Sequence, residues 1–383
     1  MAFEFFTAGR IIVKQGASDE IGDYIGNLGK SFLVVLDPVF KDTPLMEKIK
    51  KQIEEMGARY AFYTGANAEP DIEMVDKAYE LAMSINCDAV ISIGGGTCMD
   101  IGKSVAVLIT NGPPVIDYIE YVGKGKKITV DPVPFVAVPT TAGTGSEVTP
   151  GAVLGSQKIN FKRTMRDRKM VAKVAILDPV LTVGMPKRIT AQSGIDAMTH
   201  NIESYLTWRS TPLSDMAALK GIELAGKYLQ RAYENGEDLE AREGMAIAGT
   251  LGGMALAASG LGAAHGIGMA IGIQYHVGHG ESCGIVLPYV MEINAPFVSE
   301  RMARIGEVLT GKRFDKHEDG TRAAVECITD LNSKIGIPKD YKHLNIPADA
   351  VPGLAKASFG TSMSSNPMQM EVDEWEEFIS KLV

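Results

Sequence analysis

The chain of 383 residues sets 38 Lys and Arg against 47 Asp and Glu, a formal charge of −9 at pH 7. That balance argues against nucleic acid or an anionic membrane as partner, since phosphate groups attract basic surfaces. The length permits two domains with sizeable cores. Residues 1–9 lack the charged and apolar regions of a secretory signal, and no run of about 18 uncharged apolar residues marks a membrane span. Cys87, Cys98, Cys283 and Cys327 form no CxxC pair and no disulfide framework, which fits a reduced, cytoplasmic protein.

Residues 10–14, RIIVK, read as a short strand closed by Gly16, and SFLVVLDP at 31–38 as an apolar strand of the kind buried on both faces. An amphipathic helix follows over about 44–56, then a strand over 59–64, a helix over about 71–85 and a strand over 88–96. Strands alternating with helices predict a parallel, doubly wound sheet.

After the last of these strands, Gly94-Gly95-Gly96-Thr97 opens the helix MDIGKSVAVLI, so bare backbone amides at a helix N-terminus make an anion site. Met99 stands where the dinucleotide fingerprint GxGxxG has its third glycine, so the loop departs from the ordinary Rossmann turn. A second loop, in PFVAVPTTAGTGSEVT at 134–149, interleaves Thr140, Thr141, Thr144 and Ser146 with Gly143 and Gly145 at a strand's carboxyl end, where open parallel sheets bind ligands. The two loops point to a diphosphate held from both sides. Asp37, ending an earlier strand, is positioned to accept hydrogen bonds from a ribose diol and to repel a 2′-phosphate, favouring NAD over NADP.

Val174 to Leu177 make one further strand, and Pro179 and Pro186 break the chain. Apolar periodicity then predicts helices over roughly 190–207, 213–232, 240–258, 283–295, 299–310 and 320–335. VDEWEEFISKLV predicts a terminal amphipathic helix with its tryptophan in the core. A boundary near Met185 gives an α/β dinucleotide-binding domain over 1–185 and an all-α domain over 186–383.

The helical half carries the second chemical signal. Asp196 and His200, in GIDAMTHNIESYL, stand four apart, which on a helix puts both side chains on one face, roughly 5–6 Å apart at Cβ. Three of the six histidines fall in GAAHGIGMAIGIQYHVGHGESCG at 262–284. A lone buried histidine is more often a hydrogen-bonded core residue than a ligand, but clustering in an apolar stretch calls for partners, and a metal is one. His265 and His279 complete a set of one carboxylate and three imidazoles. On one straight helix they would lie about 21 Å apart, so the chain reverses between them, with Gly278 and Gly280 expected to supply the freedom.

GGGTCMD at 94–100, PTTAGTGSEVT at 139–149, DP at 178–179, GIDAMTHNIESY at 194–205 and HGIG…HVGHG…GIVLP at 265–288 together resemble the iron-containing, group III, alcohol dehydrogenases, from about residue 5 to the tail. The resemblance implies a dehydroquinate synthase-like architecture: a nucleotide-binding α/β domain, a helical metal-binding domain and a cleft between them. It implies that Gly95, Gly96, Thr97 and Asp100 hold the diphosphate of NAD, that Thr140, Thr141 and Thr144 touch the cofactor, that Asp37 meets the adenosine ribose and that Lys162 lies near the nicotinamide. Asp196, His200, His265 and His279 would carry the divalent ion and with it the catalytic role. Iron(II) is the family's metal, although such donors suit zinc, cobalt or nickel equally. The implied partners are a small alcohol or aldehyde and further copies of the chain, as a homodimer or larger.

Two departures stand out. Many members have a histidine four residues after the position of His265, where this chain has Met269, with His276 as a substitute to be weighed. Relatives also commonly place a basic residue after the proline of Asn366-Pro367, where this chain has Met368. The alternatives to a dehydrogenase are a non-redox, NAD- and metal-dependent lyase of the dehydroquinate synthase-like type and a protein that binds both groups without turnover.

Overall fold

The computed structural model describes residues 3–156, 158–159 and 161–383, and its contacts divide the chain into two compact units. One comprises Phe6–Thr141 and Gly145–Thr182; the other comprises Val183–Val383 with Ala142–Thr144 and a few N-terminal residues. A single cut near Met185 therefore misses two segments: the described residues before Phe6 and Ala142–Thr144 group with the helices.

The first unit holds strands β1 (Ile11–Val13), β2 (Ser31–Leu36), β3 (Arg59–Tyr63), β4 (Ala89–Gly94), β5 (Phe135–Pro139), β6 (Gly151–Ser156), β7 (Phe161–Arg166) and β8 (Val174–Leu177), with helices α1 (Ile21–Ile25), α2 (Pro44–Glu55), α3 (Ile72–Ser84) and α4 (Gly96–Asn111). Six strands form one parallel sheet in the order β1-β8-β5-β4-β2-β3. β2, β4 and β5 are buried along their whole length, which is why their sequences show no alternation. From β2 the chain steps outward to β3 and returns past β2 to β4, so the order reverses between β2 and β4. Ligands bind open parallel sheets at the carboxyl ends flanking such a switch point. Here those ends are Asp37 and the Gly94–Thr97 loop.

The antiparallel hairpin β6–β7 is a second, two-stranded sheet that sequence periodicity did not predict. Ala152, Leu154 and Ser156 alternate inward along β6, but Gly151 and Gly155 dilute the pattern.

The second unit is helical: α5 (Lys187–Leu206), α6 (Pro212–Glu234), α7 (Leu239–Ser259), α8 (Ala263–Tyr275), α9 (His279–Asn294), α10 (Ser299–Thr310), α11 (His317–Lys334), α12 (Val351–Ser358) and α13 (Val372–Ser380). Trp375 of α13 is buried in its core. Thr211 and Ser214 form a capping box that starts α6 behind Pro212. α7 and α8 are bent by 107° at their junction, and among the described residues no single helix is long and apolar enough to cross a membrane. α9 begins at His279, four residues before the helix start expected from periodicity.

Candidate active site

In the helical unit, α5 presents Asp196, His200 and Glu203 along one buried face. α8 brings His265, and the first turn of α9 brings His279. The Nε2 atoms of His265, His279 and His200 lie 3.5, 3.7 and 3.8 Å from Asp196 Oδ1. Ligands about 2.0–2.1 Å from a tetrahedral ion are separated by about 3.4 Å, so each of these three separations is near that of two ligands on one divalent cation. Asp196 Oδ1 and His265 Nε2 are both buried with no hydrogen-bond partner among the described residues. Orphaned buried atoms of that kind are costly unless a further group binds them.

The outer nitrogens are tied down. His265 Nδ1 lies 2.6 Å from Glu203 Oε2, and His200 Nδ1 lies 3.3 Å from the carbonyl of Gly143, on the short segment that groups with this unit. With Nδ1–H donating to these oxygens, Nε2 of each ring keeps its lone pair for a metal. The other Glu203 oxygen accepts from the Ala264 amide at 2.6 Å, and Asn366 Oδ1 accepts from the Ala263 amide at 3.2 Å. One carboxylate thus caps α8 and orients its histidine. Asn366, Met368 and Asn294 are joined in a buried amide network, which is what this chain does with the Asn-Pro-Met segment.

Charge follows from burial. Burial pushes His200 down to about 4, so the ring is neutral at pH 7. Burial works against the Asp196 carboxylate, but the surrounding imidazoles, His200 first, outweigh it and hold its pKa below the usual range. Burial also opposes charge on His265, yet Cys283, Asp196 and Glu203 raise it well above an ordinary imidazole. His279 is raised by Cys283 first, against burial. The cluster favours positive charge at its centre, and a dication would displace the protons that otherwise supply it.

The reversal between His265 and His279 has a different origin from the one expected. His276 ends α8 in the left-handed conformation (φ 56°), whereas Gly278 is ordinary at φ −55° and Gly280 already lies in α9. Gly280 is required for contact: a Cβ there would meet the Gln192 carbonyl oxygen at 2.0 Å and Asp196 Cβ at 2.8 Å. His276 is exposed and outside the metal-ligand cluster. Met269 is half-buried on α8.

Glu203 and Cys283 were missed from sequence. A glutamate seven residues after Asp196 on an otherwise buried helix was the available signal for the first, and the four-residue spacing from His279 for the second.

In the α/β unit the switch-point loops come together. The Asp37 amide donates to Ile93 O at 2.8 Å and the Thr140 amide to Gly94 O at 3.0 Å. A Cβ on Gly95 would touch Thr141 at 3.5 Å. α4 starts at Gly96 behind Gly95 without a side-chain cap, leaving first-turn amides for an anion. One Asp37 oxygen accepts from the Val39 amide at 3.0 Å.

Four expected cofactor residues are placed as follows. Asp100 is buried, with Oδ1 accepting from Ser146 Oγ and Oδ2 from the Val153 amide, both at 2.9 Å. It holds the loop after β5 to β6. Lys162, on β7, forms an ion pair with Glu69 at 2.7 Å, and Thr144 is exposed and groups with the helical unit. Thr97 Oγ1 donates to Ala68 O at 3.1 Å. Lys103, not singled out from sequence, is a buried amine donating to Ser146 Oγ and Gly151 O at 2.8 Å and to Thr149 O at 3.1 Å; burial lowers it to about 8.

A parallel sheet with glycine-rich loops at its switch point, in a chain that also gathers a carboxylate and three imidazoles, is the arrangement expected of a metal-dependent dehydrogenase. The model of the iron-containing alcohol dehydrogenases matches residues 8–179, and that of the C-terminal part of the same family matches residues 190–383. The NAD-dependent methanol dehydrogenase of Bacillus methanolicus is 34% identical over 380 residues, covering 98% of each chain. The crystal structure of a 1,3-propanediol oxidoreductase matches with a TM-score of 0.93 at 29% identity, covering 100% of both chains. That of sulfoacetaldehyde reductase from Bifidobacterium kashiwanohense in complex with NAD+ matches at 0.91 and 27%, covering 100% of this chain and 99% of that one. The chain belongs to the iron-containing alcohol dehydrogenase family.

Proposed function

We propose that the protein is a metal-dependent, NAD-linked oxidoreductase that interconverts a small alcohol and its aldehyde or ketone by direct hydride transfer, with Asp196, His200, His265 and His279 as ligands to iron(II). The observation that carries this reading is the convergence of three imidazole nitrogens on one buried carboxylate oxygen that has no hydrogen-bond partner among the described residues. When bound, a divalent ion supplies Lewis acidity to the substrate oxygen, and NAD supplies the hydride acceptor.

The chain's own residues do the rest. Glu203 and the Gly143 carbonyl fix the tautomers of His265 and His200 so that each offers Nε2. Burial of Asp196 removes competing water and strengthens its attraction for a cation. Amides of Gly95, Gly96 and Thr97 would hold the diphosphate, the remaining lone pairs of Asp37 would accept from the adenosine ribose, and Thr140 and Thr141 belong to the neighbouring loop that would touch the cofactor. Asp100 and Lys103 act as positioning residues that hold this loop in place. Thr144 and Lys162 belong to the proposed cofactor set through the family resemblance alone, Lys162 requiring release from Glu69.

A lyase reading finds no support among relatives named as dehydrogenases and reductases. Those names span methanol, 1,3-propanediol and sulfoacetaldehyde, so family membership does not single out the substrate. The four free cysteines support work in a reducing cytoplasm; assembly as a homodimer or larger is carried over from the family resemblance. The test is NADH oxidation with a panel of small aldehydes by protein reconstituted anaerobically with iron(II). Turnover of at least one aldehyde is expected; none across the panel would overturn the reading in favour of a silent binding protein.

A further inference from the structure

Cys283 takes no part in the ligand set above, yet its sulfur is placed as a donor. It follows His279 by one turn of α9 and is fully buried. Its Sγ lies 3.9 Å from His279 Nε2, and the ligand atoms of Asp196, His265, His279 and Cys283 all lie within 4.8 Å of one another. His200 is outside that mutually close group, although its Nε2 is 3.8 Å from Asp196 Oδ1.

The fold creates this proximity at Gly268. A Cβ on that residue would meet Cys283 N at 2.9 Å, Cα at 3.0 Å and Sγ at 3.1 Å, so its absence lets α9 seat against α8 with the sulfur beside the His265 turn. The cysteine does not stand alone as an indication. Asp196 Oδ1 and His265 Nε2, on side chains each 5% exposed and 3.5 Å apart, have no hydrogen-bond partner among the described residues. For metal–sulfur and metal–nitrogen bonds of about 2.3 and 2.0–2.1 Å, a tetrahedral S···N edge is about 3.6 Å, a few tenths from the observed separation.

We infer that Cys283 is a ligand of this metal site, which therefore holds two overlapping donor sets. Asp196, His265 and His279 are common to both; His200 completes one and the Cys283 thiolate the other. On binding, the S–H bond breaks, a sulfur–metal bond forms and the proton leaves to solvent, with no redox partner consumed. A soft sulfur donor shifts the choice of ion toward zinc and cobalt and away from hard ions such as magnesium or manganese. The inference rests on the proposed metal dependence and deepens it.

Cobalt(II) added anaerobically to metal-free protein is the probe. The expected spectrum has ligand-field bands together with a strong near-ultraviolet sulfur-to-cobalt charge-transfer band. The latter is lost in Cys283→Ser and Cys283→Ala and kept in His200→Ala. Cobalt bound with ligand-field bands but without the charge-transfer band in the unaltered protein, or a band that survives Cys283→Ser, overturns the inference and leaves the metal site standing. No cobalt binding at all overturns the metal site itself, and the inference with it. If the Cys283 variants do not fold, X-ray absorption of the unaltered zinc protein decides: a sulfur scatterer at about 2.3 Å upholds the ligand, and a shell of nitrogen and oxygen alone overturns it.

Discussion

Glu203 Oε2 lies 2.6 Å from His265 Nδ1, and the far side of the same ring lies 3.5 Å from Asp196 Oδ1. A carboxylate, an imidazole and a site for a cation thus stand in series, the arrangement that fixes a ligating histidine's tautomer and raises its basicity. Glu203→Ala is expected to lower metal affinity about 10–100-fold, with Glu203→Gln intermediate because an amide oxygen still accepts from Nδ1–H. Metal affinities from competition with a chelator check this, and equal affinities in all three proteins would remove Glu203 from the site.

The close approach of α9 to α5 makes a second prediction. Gly280→Ala places a methyl group 2.0 Å from the Gln192 carbonyl oxygen, and such overpacking costs about 1–3 kcal/mol. Denaturant unfolding should show that loss, and displacement of His279 should weaken metal retention alongside it. Unaltered stability and metal content would show that the helices separate without consequence.

Asp37 follows β2 at the switch point, beside Gly94. Asp37→Gly removes the carboxylate that would repel a 2′-phosphate, so the ratio of kcat/KM for NAD to that for NADP should fall. An unchanged ratio would take Asp37 out of the cofactor site.

Lys103 gives a pH-dependent prediction. Its amine titrates near 8 when buried, below the unfolded value of about 10.4. Between those values the unfolded chain binds the extra proton, so this group makes stability rise with pH, by at most about 1.4 kcal/mol per pH unit. Below about pH 8 its contribution is flat. The stability difference between the natural protein and Lys103→Met, measured by denaturant unfolding from pH 7 to 10, should grow in favour of the natural protein above pH 8. A difference independent of pH would show that the amine does not titrate as a buried group.

Much of this was legible in sequence because continuous apolar runs such as SFLVVL and a carboxylate–histidine pair at helical spacing leave direct marks. The β6–β7 hairpin was not legible, since Gly151 and Gly155 weaken its alternation. Nor were the reasons for the glycines: Gly280 reads as a hinge in sequence, but its use depends on the position of Gln192, nearly ninety residues earlier in the chain. Asp100 shows the same limit. Its motif suggests a ligand-facing carboxylate, whereas its partners are Ser146 and the Val153 amide.

The most direct test of the central claim is to titrate iron(II) anaerobically into metal-free protein and into His265→Ala while following NADH oxidation with an accepted aldehyde. Activity should return in step with bound metal in the unaltered protein. His265→Ala should recover neither metal nor turnover while still binding NADH, as read by fluorescence. Full turnover in the metal-free protein, or in His265→Ala, would contradict the claim that these side chains hold the ion on which the reaction depends.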